Sequence, residues 1–301
     1  MMERDTQHLQ MIARLQTLRG QVLDWEQLRR AAAQDADAAL EAELARRRET
    51  IEAVWQMLCR GRGERDEQPL LHLFRRPYDC RNAKILLRAM ACGAEAEPLL
   101  SRLGTVDAGV LRAALAENKP GLLPPWLRVC VAEARRVQEN SQRWDLTDAV
   151  LERGTFMQMD ADARASACPA AQEGLRLLAD GINTQTLLRC AQWRKEDGRA
   201  LLLPLGSLAP EHLPERCAPE EIAARVHNAP LRAAARTGDA GQVRWALWGQ
   251  LTALARRCAR SPFGADALLG FCLELKLYAM ALRWVQAAPR EEKRRAEVFY
   301  G

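Results

Sequence analysis

Two stretches about a hundred residues apart, "DCRNAKILLRA" (79–89) and "DGINTQTLLRC" (180–190), fit a single pattern: Asp, Asn three residues later, then Leu-Leu-Arg and a small residue. A second pattern follows each copy, "LLSRLGTV" (99–106) and "LLLPLGSL" (201–208), both L-L-x-x-L-G-[ST]-[VL]. The two patterns recur in the same order at offsets of 101 and 102 residues. Solenoid repeats run about 20–50 residues and pack only on their neighbours, so a period of this length points to separate units of several elements each. A third copy falls near 278–284, where "LELKLYAMALRWVQ" keeps Leu282 and Arg283 but has Tyr278 and Ala281 in place of Asp and Asn, and that last unit is cut short at "VFYG". The period divides the chain into 1–104, 105–206 and 207–301.

The elements within each unit are predicted to be helices. Ala, Leu, Arg, Glu and Gln dominate, β-branched residues are scarce, and apolar residues recur at three-to-four spacing with no convincing alternating strand, giving an all-α chain. Clusters of Gly, Pro and charge mark loops at 60–69, 117–125, 194–199, 203–219 and 260–266. Asp79, two residues after Pro77, is placed to cap a helix whose first turn contains Asn82. Asp180 instead lies inside a continuous helical pattern, where Gly181 costs about 1 kcal/mol relative to alanine. Asp180 and Asn183 share a face with leucines and must find hydrogen-bond partners there. The reading that follows is that the polar pair ties its helix to a neighbouring loop or helix end.

Composition excludes several classes. The 44 Lys and Arg against 39 Asp and Glu leave a net charge of +5, and the basic residues are interleaved with acidic ones, as on solvated helix faces, which argues against a nucleic-acid partner. Nine cysteines without any C-x-x-C sit mostly within apolar helical patterns, as reduced core residues in a cytosolic protein do. The start "MMERDTQHLQMIARLQ" lacks the apolar core of a signal peptide, and no apolar run approaches the length of a membrane span. There is no G-x-x-x-x-G-K-[ST], H-E-x-x-H or G-x-S-x-G, and the four histidines (His8, His72, His212, His227) are far apart, with no metal-ligand spacing.

The stretches "YDCRNAKILLRAMACG", "LADGINTQTLLRCAQWR" and "SPFGADALLGFCLELKLYAMALRWV" together resemble the C subunit of the vacuolar- and archaeal-type (V-type/A-type) rotary ATPases, known as the d subunit in eukaryotic complexes. The family pattern D-x-x-N-[ILV]-x-x-[IL]-[IL]-R-x-[KR] is met at Asp79, Asn82 and Arg88 and again at Asp180, Asn183 and Arg189, with Cys190 and Ala191 where Lys or Arg often follows. The resemblance implies three similar helical domains around a pseudo-threefold axis, forming a funnel. Such a protein sits on the cytoplasmic face of the membrane ring of proteolipid subunits and receives the central shaft. It would be monomeric within the complex, touch the membrane only through the ring, hold no cofactor or metal, and have no catalytic residues; Asp79, Asn82, Arg88, Asp180, Asn183 and Arg189 would be structural. Trp245, Trp248 and Trp284 are read as core or interdomain packing. The alternative from a different class is a free-standing helical repeat scaffold for protein–protein interaction.

Overall fold

Helix starts follow the side chains that can satisfy free backbone donors. Asp107 accepts from the N–H groups of Gly109 and Val110, Asn228 from that of Leu231, and Asp239 from that of Gly241, while proline opens three further helices. A computed structural model describes residue 13 and residues 15–33, 38–60, 68–193, 198–208, 210, 218–261 and 264–287. The first helices are α1 (15–22), α2 (Trp25–Ala33), α3 (Ala38–Arg60) and α4 (Gln68–Cys92). Then come α5 (Ala108–Ala116), α6 (Pro125–Ser141), α7 (Trp144–Ala165) and α8 (Pro169–Gln192), and finally α9 (Pro219–Arg225), α10 (Ala229–Ala235), α11 (Ala240–Ala259) and α12 (Ala265–Ala287). Among the described residues there is no strand, so the all-α expectation holds.

One local expectation is corrected. Asp79 does not cap a helix: α4 begins at Gln68, runs through Pro77 and places Asp79 in its middle. Leu70, Leu71 and Leu73 are buried ahead of the proline, and that burial outweighs the hydrogen bond that Pro77 cannot donate. The expected loops at 117–125 and 260–266 separate α5 from α6 and α11 from α12. Residues 61–67 and 211–217, His8, His212, Cys217 and the closing "VFYG" lie outside the described residues.

Long helices pair side by side. α4 and α6 pack on α7, α8 packs on α11, and α12 packs on α11, α2 and α3 while also touching α4 and α8. Close approach explains Gly181: an added Cβ would lie 2.6 Å from the Leu247 side chain on α11, so the propensity cost within α8 is offset by helix contact. Trp245 and Trp248 on α11 and Trp284 on α12 stack edge to face, with centroids 4.9, 4.9 and 6.2 Å apart, and join the two helices.

Two apolar clusters result. The larger draws side chains from Leu15 to Val285, so the first and last described helices share it. The smaller gathers the second half of α4, α5, α6 and the start of α7, from Cys80 to Leu151.

Candidate functional site

The duplicated motif forms the same clasp twice. Asn82 is fully buried on α4; its Nδ2 donates to the Ser101 carbonyl at 2.8 Å and its Oδ1 accepts from the Ser101 N–H at 2.8 Å. On α8, Asn183 donates to the Leu203 carbonyl at 3.0 Å and accepts from the Leu203 N–H at 2.8 Å. In each case one side-chain amide pairs with the backbone of one loop residue, satisfying both its N–H and its carbonyl inside the protein.

The aspartates hold the loop a few residues further on. Asp79 accepts from the Val106 N–H at 3.0 Å and from the Thr105 hydroxyl. Asp180 accepts from the Ser207 N–H and, at 3.0 Å, from the Ser207 hydroxyl. The Gly-[Ser/Thr] step of the second pattern follows from this geometry. A Cβ at Gly104 would collide with Asp79 Oδ1, and one at Gly206 with Asp180 Oδ1, where φ is also +93°. Burial pushes both carboxyls above the ordinary aspartate value, against the loop hydrogen bonds, which pull them down. The division points at 104 and 206 fall inside these loops, and the aspartate bonds run across them.

The motif arginines are placed differently. Arg88 pairs with Asp148 of α7 at 2.7 Å and lies 5.3 Å over the Trp144 ring. Arg189 is half-buried in the last turn of α8, and among the described residues no carboxylate pairs with it. In the third register, Tyr278 and Ala281 are buried as Asp79 and Asn82 are, but the Tyr278 hydroxyl donates to the Asp24 carbonyl at 3.1 Å. The partner at this register therefore comes from the segment before α2, and Trp25 meets the Tyr278 ring edge to face at 4.8 Å.

Further charges around the first clasp had no sequence motif to announce them. Arg76 pairs with Asp162 at 2.8 Å, with both side chains about 10% exposed, donates to the Thr105 hydroxyl at 2.9 Å and lies 5.1 Å over the Trp126 ring. Arg75 donates to the carbonyls of Leu103 and Gly104. Lys84 pairs with Asp148 and Glu152. The only signal in the sequence was that these bases share α4 with the motif, since the acids of Lys84 and Arg76 lie 64 to 86 residues away.

Chemically, the arrangement fastens loops to helices: each polar group of the clasps is engaged by protein. Among the described residues no group of three or more His, Cys, Asp or Glu is placed to hold a metal ion. No described helix is long and apolar enough to cross a membrane. No curated protein matches the sequence significantly. The family model described as ATP synthase (C/AC39) subunit matches residues 20–288, which include both clasps, the third register and nearly every described helix. The chain belongs to the ATP synthase (C/AC39) subunit family.

Proposed function

We propose that this chain is a non-catalytic central-stalk subunit of a vacuolar- or archaeal-type rotary ATPase, linking the rotor shaft to the proteolipid ring on the cytoplasmic face of the membrane. Family membership over residues 20–288 carries the reading. On this reading the chain comprises three units, one for each motif helix (α4, α8 and α12), arranged about a pseudo-threefold axis. An adaptor in that position transmits torque between parts of different symmetry. Dense helix packing deforms little under load, and loops fastened by buried Asp and Asn keep the docking surfaces in register.

The test is removal. Membranes lacking this chain should retain ATP hydrolysis by the soluble head and lose ATP-driven ion transport, with transport restored by adding the chain back. Undiminished transport without it, in a strain holding no second copy, overturns the adaptor reading.

A further inference from the structure

A cleft of about 430 Å³ opens between α3, α4, α12 and the loop that Asn82 clasps. Arg48 of α3, Arg81 of α4, and Lys276 and Arg283 of α12 line it, and among the described residues the acids that line it are Glu49 and Glu52 of α3. Three arginines near the cleft or on its helices do have carboxylate partners: Arg19 with Glu274, Arg76 with Asp162 and Arg88 with Asp148. In the cleft, among the described residues, no carboxylate pairs with Arg48, Arg81 or Arg283. The Lys276 ammonium is held 4.9 Å over the Tyr78 ring. Apolar side chains share the rim: Leu99 is 57% exposed and Met280 half-buried.

We propose that this cleft docks an acidic, amphipathic segment of a protein partner, its carboxylates meeting Arg81 and Arg283 and an apolar side chain resting on Leu99 and Met280. Unpaired guanidinium groups on two helices offer forked donors that match carboxylates. A small multivalent anion fits less well, because the apolar rim of Leu99 and Met280 gives it nothing to rest on. Asn82 takes part indirectly: by fixing Ser101 it sets the loop wall on which Leu99 and Leu100 stand. The inference rests on the adaptor reading, since it names the chemistry of one of the adaptor's contacts.

The test is reassembly of the purified full chain onto membranes stripped of it, at graded salt. Wild type must bind; if it does not, the adaptor reading itself fails. The double charge reversal Arg81→Glu with Arg283→Glu should weaken binding about tenfold or more, and Arg128→Glu, on an exposed position of α6, should not. Where the reversal fails to fold, the Arg81→Gln, Arg283→Gln pair is read instead, with a smaller loss and a shallower salt dependence expected. Wild-type binding that survives either folded double variant overturns the cleft while leaving the adaptor standing. A photocrosslinker at Met280 should capture a partner peptide rich in Asp and Glu, and a captured peptide without carboxylates overturns the proposal. So does stabilisation of the chain by tripolyphosphate, abolished in the double variant with reassembly unchanged, which would make the cleft a small-anion site.

Discussion

At the residue scale, each clasp combines a desolvated carboxylate with loop N–H and O–H groups that donate to it. Asp180→Ala leaves the Ser207 N–H and hydroxyl unsatisfied, so urea melts should show a loss of about 1–3 kcal/mol. The pH dependence has a definite sign. Because burial raises the Asp180 carboxyl above its unfolded value, the folded state holds the proton more tightly. The contribution of that linkage to stability is fully present below the unfolded value and is lost as pH rises through the folded one. Asn does not titrate, so wild type should lose stability relative to Asp180→Asn as the pH rises from about 4. The glycines give a separate prediction. Gly104→Ala collides with the Asp79 carboxylate, so its cost, about 1–3 kcal/mol, should largely vanish in an Asp79→Ala background. Gly206→Ala should keep part of its cost in an Asp180→Ala background, because φ there is +93°. Equal rescue at both sites would show that the carboxylates alone require glycine.

At the element scale, what the sequence made legible was local or repeated. The 101-residue offset singled out Asp79, Asn82, Asp180 and Asn183, and the pattern twenty-odd residues downstream supplied the loops that they hold. The start of α4 was hidden because Pro77 reads as a boundary while the burial of Leu70 and Leu73 is set by distant helices. The acids of α7 were hidden too: Asp148, Glu152 and Asp162 have no repeated counterpart, and only folding brings them to Arg88, Lys84 and Arg76. That last pair bonds α4 to α7 beside the clasped Thr105 and is nearly excluded from water. Arg76→Ala leaves Asp162 as a buried charge, so denaturant titration should show a loss of about 3–5 kcal/mol. A loss below about 1 kcal/mol, the range of an exposed pair, would mean that water reaches Asp162 in solution.

At the scale of the whole molecule, the first and last described helices close on each other. Tyr278 of α12 reaches the Asp24 carbonyl, Trp25 packs on its ring, Arg19 pairs with Glu274, and Arg47 pairs with Asp24 at 3.4 Å. The larger apolar cluster therefore contains both α2 and α12, whereas the smaller one is built from a continuous stretch of chain between Cys80 and Leu151. Clusters separated in this way open as separate cooperative units when one is weakened. Tyr278→Phe removes only the hydroxyl contact and should cost about 0.5–1.5 kcal/mol. Tyr278→Ala also empties a fully buried site in the larger cluster, and large-to-small changes of this kind cost about 3–5 kcal/mol. Native-state hydrogen exchange on the alanine variant should then show faster exchange in both Trp25–Ala33 and Ala265–Ala287, with the amides of α5 and α6 keeping wild-type protection. Faster exchange confined to α12, with α2 unchanged, would show that the two ends are neighbours without being energetically joined. Acceleration of α5 and α6 to the same degree would show that the two clusters unfold as one.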